Sequence, residues 1–323
     1  MVRTLNMIRT LNMIRTLNMI RTMKKTIGAL VSAFAVVSGA ALAAGGGDAV
    51  LKHEHWHFTG PFGSFDKEAV QRGYQVYRTV CAGCHSMDQL AFRNLGQKGG
   101  PFYLERCPEG VPETVDCSNP NDNPYVKQIA SEFPITDGPD DFGDMFQRPG
   151  LPSDGFPTPY PNEQIARLAN GGAYPPDLSL ITKARPNGAD YVYSLLTGYE
   201  DTPPSLNVAP GQYYNVSYPG DTSQILKPEY KDADGYVVEG FELPKGGVFA
   251  MPKPLADGVV DYEQEDIPET VDQYSKDVTE FLMWAAEPKL EARKRLGVMS
   301  LGYLIILTGI LYWSTREIWS KAK

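Results

Sequence analysis

The pentapeptide CAGCH occupies residues 81–85. Two thiols three positions apart can form thioether bonds with the two vinyl groups of a single haem, and a histidine directly after them can bind its iron. The sequence therefore predicts one covalently attached haem c, with Cys81 and Cys84 as the thioether residues and His85 as an axial ligand.

Two other chemistries use the same cysteine spacing. A thioredoxin-like redox pair requires a βαβ setting, which the flanking sequence does not show. A zinc site requires a second pair of ligands, which Cys107 and Cys117 could supply. The histidine that follows Cys84, together with the export signal described below, favours haem.

The segments around the motif have helical patterns. Asp66 can cap a helix, and apolar or small residues then recur with a period of 3.6 up to the motif. Residues 270–273 form a capping box, and an apolar stripe follows as far as Glu287 and Pro288. This second helix is expected to pack against the helix before Cys81. The stripes consist of Val70, Gly73, Tyr74, Tyr77 and Val80 in the first helix and Val271, Tyr274, Val278, Phe281, Leu282 and Ala285 in the second.

Two shorter helices are predicted, over residues 163–170 with Asn162 as cap and over residues 190–197, and no strand pattern is sustained. The predicted fold class is mainly α, a haem domain of the c-type cytochrome kind with long irregular loops. Loops account for its length, so the two-domain expectation for 323 residues is dropped.

A second axial ligand can be sought among few residues. Met87 is too close to His85 to reach the other haem face, Met299 lies in an apolar run, and Met283 lies in a predicted helix. Met145 and Met251 remain, each in a loop rich in Pro and Gly. The residues alone leave these two open.

Histidines alternate with other residues at positions 53, 55 and 57. Such a stretch could bind a metal ion or the haem. It is interpreted here as an exposed N-terminal strand.

The two ends of the chain are basic and apolar. Residues 3–20 repeat RTLNMI three times, and residues 1–22 are interpreted as an extension from a start site placed too far upstream. Residues 23–43 have the charged, apolar and A-x-A regions of a secretory signal peptide. An uncharged run at 296–313, flanked by basic residues, predicts a transmembrane anchor over 293–315 and a cytoplasmic tail over 316–323.

The net charge of −9 hides an uneven distribution. Residues 44–292 contain 18 Lys and Arg against 38 Asp and Glu, a net charge of −20. Nucleic acid is therefore not an expected partner, because binding phosphates requires a basic face. Acidic clusters at Asp137/Asp140/Asp141/Asp144 and within 257–272 are candidate contacts for a basic protein.

Longer motifs identify a family. The sequence resembles the cytochrome c1 family, the membrane-anchored haem subunits of the cytochrome bc1 complex (ubiquinol–cytochrome c reductase), over nearly all of 56–320, and most closely its mitochondrial and alphaproteobacterial branch. The motifs are RGYQVY (72–77), CAGCHSMD (81–88), DMFQRPG (144–150), PTPYPNEQIARLANGGAYPPDLS (157–179), DYVYSLLTGY (190–199), FAMPKPL (249–255) and FLMWAAEP (281–288).

The resemblance implies roles for particular residues. Met251 matches the distal haem ligand of the family, so the metal ligands would be His85 and Met251. Arg185 and Tyr191 match residues that hold a haem propionate. Three residues are expected on the His85 side of the haem: Pro175, Pro176 and Asn170.

The loop at 96–135 has no fixed length in the family and contains the remaining two cysteines. Because nine residues separate Cys107 from Cys117 and the compartment is oxidising, a disulfide is predicted. The region 203–248 is expected to be irregular loop.

The resemblance also implies a function. The chain would be a one-electron carrier, not an enzyme on its own, in a complex with cytochrome b, a Rieske iron–sulfur protein as donor and a soluble cytochrome c as acceptor. The haem domain would lie in the periplasm of a bacterial inner membrane, with a single helix in the lipid. The alternatives are a haem enzyme with an open iron site, or an anchored c-type cytochrome that belongs to another respiratory complex or acts as a stand-alone shuttle.

Overall fold

The computed structural model describes residues 49–321, and it confirms a mainly helical fold with long loops. The predicted N-terminal extension (1–22) and signal peptide (23–43) lie outside the described residues. The α-helices are α1 Lys67–Val76, α2 Phe92–Gly96, α3 Pro124–Ser131, α4 Glu163–Ala169, α5 Ile181–Ala184, α6 Gly188–Thr197, α7 Val271–Ala286 and α8 Leu290–Lys321. The strands are β1 Pro134–Asp137, β2 Phe146–Pro149, β3 Tyr213–Asn215 and β4 Gly247–Phe249.

The predicted helix caps are confirmed. The Asp66 side chain accepts the amides of Glu68 and Ala69 at the start of α1. The Thr270 hydroxyl accepts the Gln273 amide at the start of α7. Asn162 caps α4 in the same way, so these helix starts follow from local side-chain chemistry.

Helices α1 and α7 pack against each other, as their apolar stripes predict. The contact is close because Gly73 has no side chain: a Cβ there would overlap the carbonyl oxygen of Asp277 and lie 2.7 Å from the Cβ of Phe281. Aromatic rings fill the space beside this crossing, with the Phe281 ring centroid 5.7 Å from that of Tyr74 and 5.6 Å from that of Tyr77.

A buried polar network runs along the same interface. Arg72 donates from Nε and Nη2 to the two carboxylate oxygens of Asp277, at 3.0 and 2.9 Å. The Tyr262 hydroxyl donates to Asp277 at 2.9 Å. All three side chains are buried. Separating the members of a buried ion pair leaves two uncompensated buried charges, so the register that keeps Arg72 against Asp277 is favoured over its neighbours.

The strands form two antiparallel pairs that the sequence did not indicate, β1 with β2 and β3 with β4. Each strand has only three or four residues, too few for a period of two to stand out. The region 203–248, predicted as irregular, also contains a second small hydrophobic cluster around Leu206, Tyr214 and Leu226. Strand β4 leads directly into Met251.

Helix α8 contains the predicted apolar run. Its most apolar 18-residue window has a mean hydropathy of 1.8, and none of that window is buried against the rest of the described chain. The helix is long and apolar enough to cross a membrane.

Substitution of Gly73 tests the helix crossing. We expect Gly73→Ala to destabilise the domain by about 1–3 kcal/mol or more, because neither backbone can move apart without opening the aromatic core. The measurement is the thermal unfolding midpoint of the full chain in detergent. Gly155→Ala is the control, since a Cβ there would meet only the Leu90 carbonyl oxygen at 3.7 Å; equal midpoints for the two variants would contradict the argument.

The environment of Glu280, on α7, makes the stability of the folded domain depend on pH. Its side chain is 3% exposed, accepts the Asp66 amide, and pairs with no cation among residues 49–321. Burial, with Asp66 and Asp277 nearby, raises its pKa to about 7 from an ordinary 4.5. The folded state therefore holds the proton more tightly than the unfolded state, so this stabilisation is complete below pH 4.5 and is lost as the pH rises through about 7.

We expect Glu280→Gln, which keeps an acceptor for the Asp66 amide, to be increasingly more stable than the unsubstituted protein as the pH rises. The difference in unfolding free energy should reach about 3 kcal/mol above the raised pKa. Unfolding measured from about pH 5 to about pH 8 checks this expectation. A difference that does not change with pH would show that Glu280 is not protonated in the folded state.

Candidate haem-binding site

Helix α1 continues without a break into the CAGCH motif. A π-helical turn, Tyr77–Cys81, follows α1, and the Cys81 carbonyl accepts the amides of Cys84 at 3.1 Å and His85 at 2.9 Å. Spacings of three and four residues in a helical turn place the side chains of Cys81, Cys84 and His85 on one face. The motif is thus held by the helix that crosses α7.

The two motif cysteines are free thiols, Cys84 exposed and Cys81 half-buried. Burial raises the pKa of the Cys81 thiol to about 12, with a further contribution from Cys84. A thioredoxin-like pair requires the opposite shift, toward the thiolate. Two neighbouring free thiols fit the chemistry of thioether formation.

The zinc alternative loses its second pair of ligands. Cys107 and Cys117 form a disulfide with Cα atoms 5.1 Å apart. Among residues 49–321, no group of three or more His, Cys, Asp or Glu side chains is arranged to hold a metal ion. The four cysteines are thus divided into a bonded pair in the 96–135 loop and a free pair in the motif.

His85 is oriented by a single hydrogen bond. Its Nδ1 lies 2.8 Å from the carbonyl oxygen of Pro176. A carbonyl can only accept, so Nδ1 carries the proton and the neutral ring has its lone pair on Nε2. Burial lowers the pKa of His85, which favours that neutral form. This is the arrangement in which metal-binding histidines are usually held.

Pro176 belongs to the segment 175–179, here called the Pro-Pro loop, which lies against residues 85–89. The Leu178 amide donates to the Ser86 carbonyl at 2.9 Å, and the Gln89 amide donates to the Ser179 hydroxyl at 3.1 Å. The carboxylate of Asp177 also joins the two segments. Sequence reasoning gave no role to Asp177, although an Asp two residues before a Ser is a local turn signal.

The loop that carries Met251 is anchored from α6. The Tyr199 hydroxyl, just after that helix, donates to the carbonyls of Met251 at 3.1 Å and Pro252 at 3.3 Å. The Phe249 ring stacks on Tyr218 with centroids 4.7 Å apart. Met251 itself is half-buried, so its backbone is fixed while its side chain remains partly accessible.

The other methionines are placed differently. Met145 is 60% exposed, between β1 and β2. Met87 is fully buried in the main core, and Met283 packs against that core from α7. Of the two methionines that the sequence left open, Met251 is the one in an anchored, partly buried loop.

Arg185 and Tyr191 lie close together. Burial raises the pKa of Tyr191, and the positive charge of Arg185 partly offsets that shift. Arg185 is exposed, and its guanidinium makes no ion pair within the described part of the chain. A free guanidinium beside a phenol is a suitable donor set for a carboxylate.

Asn170 occupies a structural position. It ends α4, and its amide nitrogen donates to the Ala166 carbonyl at 2.7 Å and to the Tyr160 hydroxyl at 3.1 Å. Pro175, five residues further along the chain, is half-buried at the start of the Pro-Pro loop.

The prediction of a strand at residues 53–57 is wrong. The amides of Lys52 and Glu54 donate to the Ser194 hydroxyl and the Asp190 carboxylate on α6, so side chains replace a neighbouring strand as acceptors. His53 lies 2.9 Å from Asp190, and the buried Trp56 donates to the same carboxylate. This segment is a structural attachment to α6.

The acidic clusters are only partly free. Asp140 accepts the amides of Phe142 and Asp144, and Asp137 pairs with Arg148, so two carboxylates of the first cluster hold the turn between β1 and β2. In the second cluster, four acidic side chains are exposed and form no ion pair with any residue among 49–321. These residues, here called the acidic loop, are Asp261, Glu263, Glu265 and Asp266.

Comparison with known proteins gives a consistent family. A sequence model described as the Cytochrome C1 family matches residues 56–322. The chain is 38% identical to "Cytochrome c1" of Rhodospirillum rubrum, over 91% of this chain and 97% of that protein. It is 42% identical to "Cytochrome c1-2, heme protein, mitochondrial" of Solanum tuberosum, over 83% and 85%. It is 43% identical to "Cytochrome b/c1" of Bradyrhizobium diazoefficiens, spanning 35% of that longer protein.

Proposed function

Because the chain belongs to the cytochrome c1 family, we propose that it is the haem-carrying electron-transfer subunit of a ubiquinol–cytochrome c reductase. The observation that carries the proposal is the hydrogen bond from His85 to the Pro176 carbonyl. It leaves Nε2 unprotonated in the residue that follows Cys84, within a motif whose two cysteines are free, and this is the donor set that a covalent haem c requires.

Four residues of the chain would bind the haem directly. Cys81 and Cys84 would form the thioether bonds, His85 would be the proximal ligand and Met251 the distal ligand. When bound, the haem supplies a single one-electron couple, and methionine ligation gives it a higher potential than a second histidine would. No general acid, base or nucleophile is needed, so this subunit carries electrons within a larger enzyme.

Three further groups would line the haem. Arg185 and Tyr191 would donate to a propionate, which is supported by the absence of an ion pair to Arg185 among residues 49–321 and by the effect of its charge on Tyr191. Pro175 and Pro176 would contact the His85 side. Asn170, whose amide is held by α4 and Tyr160, would shape the same side indirectly.

The proposed topology follows the sequence of segments. After removal of the signal at 23–43, residues 44–292 would form the haem domain in the periplasm of a bacterial inner membrane. Residues 293–315 of α8 would cross the lipid beside cytochrome b, and 316–323 would remain in the cytoplasm. The exposed apolar surface of α8 supports contact with lipid and with neighbouring membrane helices.

The proposed electron path has a donor and an acceptor. A Rieske iron–sulfur protein would reduce the subunit after quinol oxidation, and a soluble, basic cytochrome c would oxidise it. The acidic loop supports the second step, because four unpaired carboxylates on one short segment attract a cationic partner.

Purification in mild detergent tests the assignment to a complex. We expect cytochrome b and a Rieske protein to co-purify, together with one c-type haem in an optical redox titration. Isolation of the chain alone, or with oxidase subunits, would instead indicate a different anchored cytochrome.

Met251→Leu tests the distal ligand. Loss of the thioether should lower the reduction potential sharply and change the low-spin absorption spectrum, because methionine ligation stabilises the reduced iron. The measurement is an optical redox titration of the purified complex. Met145→Leu, in the exposed turn, is the matched control and should titrate like the unsubstituted protein; the reverse pattern would identify Met145 as the ligand.

The salt dependence of cytochrome c reduction tests electrostatic steering. Between ionic strengths of about 0.01 M and about 1 M the Debye length falls from about 30 Å to about 3 Å. We expect the second-order rate constant to fall about tenfold or more over this range. Neutralising the acidic loop (Asp261→Asn, Glu263→Gln, Glu265→Gln, Asp266→Asn) should reproduce much of that loss at low salt.

A variant with the same change of net charge provides the control. Glu229→Gln, Asp234→Asn, Glu239→Gln and Glu242→Gln alter exposed acids in the region of the second hydrophobic cluster. This variant should reduce cytochrome c at nearly the unsubstituted rate. Equal losses in the two variants would mean that net charge alone matters, and a flat salt response would remove steering from the mechanism.

A further inference from the structure

The contact between the Pro-Pro loop and residues 85–89 converges on one carboxylate. Asp177 Oδ2 accepts the Asp88 amide at 2.7 Å and the Ser86 hydroxyl at 3.0 Å. Its Oδ1 accepts the Ser179 amide at 2.9 Å. The side chain thus fixes its own loop with one oxygen and the segment after His85 with the other.

Asp177 is also covalently next to the group that orients His85. The carbonyl carbon of Pro176 is bonded to the backbone nitrogen of Asp177. The carbonyl that accepts from Nδ1 therefore lies in the same planar peptide unit as that nitrogen, and the two can only rotate together. The two prolines have fixed φ angles, which leaves few free torsions in the loop. The Asp177 carboxylate restrains those that remain.

We propose that Asp177 is a positioning residue for His85: it holds the Pro176 carbonyl against Nδ1 and so sets the orientation and ligand strength of Nε2. This inference rests on the proposed function, in which His85 binds haem iron. Asp177 acts through Pro176 and Ser86 and does not itself contact the iron. A hydrogen bond from Nδ1 of a histidine to an acceptor makes Nε2 a more basic metal ligand, and the hydrogen bond between His85 and the Pro176 carbonyl is of this kind.

A weaker bond to Nδ1 has a defined consequence. A less basic imidazole stabilises the oxidised iron less, so the reduction potential rises. In Asp177→Asn one carboxylate oxygen becomes an NH₂ group, which cannot accept, so the hydrogen bond from either the Asp88 amide or the Ser179 amide is lost. We expect the midpoint potential to shift upward and the g-values of the oxidised low-spin haem to change.

Loss of a negative charge near the haem would also raise the potential, so a charge control is needed. Asp88→Asn removes a carboxylate from the same segment. That side chain is exposed, and its one hydrogen bond within residues 49–321 is a long one from the Ser86 hydroxyl at 3.4 Å. It should therefore show the charge effect alone, with a smaller shift and unchanged g-values.

Ser86→Ala provides an uncharged second variant. It removes one of the two donors to Asp177 Oδ2 and changes no charge. Any shift of the potential or of the g-values would therefore come from a change in the position of the Pro-Pro loop relative to His85. We expect it to shift both in the same direction as Asp177→Asn and by less. If Asp177→Asn does not accumulate, Ser86→Ala decides the question by itself.

The experiment is an optical redox titration and an electron paramagnetic resonance spectrum of each variant in the purified complex. Larger shifts in Asp177→Asn than in Asp88→Asn, with a parallel change in Ser86→Ala, support the proposal. Equal shifts in the two Asp variants, or an unaltered Ser86→Ala protein, would overturn it. His85→Ala separates this failure from that of the proposed function: if it kept the unsubstituted spectrum, His85 would not be a ligand at all.

Discussion

The close crossing of α1 and α7 at Gly73 is the constraint on which the site depends. Because the two backbones touch there, the last turn of α1 and the motif that continues it have one available position. The Arg72–Asp277 pair fixes the register of the two helices, and the aromatic rings of Tyr74, Tyr77 and Phe281 exclude water from the interface. The haem motif is thus placed mainly by the packing of the helix that precedes it, and Cys81 and Ala82 pack against the same core.

A structural feature could be predicted from the sequence when the residues that form it are close together along the chain. The caps at Asp66 and Thr270 and the apolar stripes involve residues three or four apart, so a single sequence is enough to find them. The attachment of residues 52–54 to α6 was missed, because its acceptors, Ser194 and Asp190, lie more than 130 positions away. No local pattern distinguishes such a segment from an exposed strand.

The candidate site shows the same division. The CAGCH motif is local and predicts its own chemistry, and the proposed roles of Met251 and of the Pro-Pro loop come from the resemblance to the family. The hydrogen bonds that orient these groups could not be predicted in the same way, because Pro176 is 91 residues from His85 and Tyr199 is 52 residues from Met251. The long loops between them form few regular elements, so only the folded chain shows which carbonyl faces which ring.

Both proposed ligands are held through backbone carbonyl groups. The geometry of the ligands and the charge of the surface can therefore be considered as two separate properties of the subunit. The Pro176 carbonyl orients His85, and the Tyr199 hydroxyl fixes the backbone carbonyl of Met251. Two other sets of charges are held differently: Arg72 and Asp277 neutralise each other in the core, and the acidic loop faces solvent. Exposed charges act over about a Debye length and are screened by salt, whereas the geometry of the proposed ligands depends on short hydrogen bonds to backbone carbonyls and to the partly buried Asp177 carboxylate. The acidic loop can therefore be adjusted to a partner without altering the hydrogen bonds that hold the two proposed ligands.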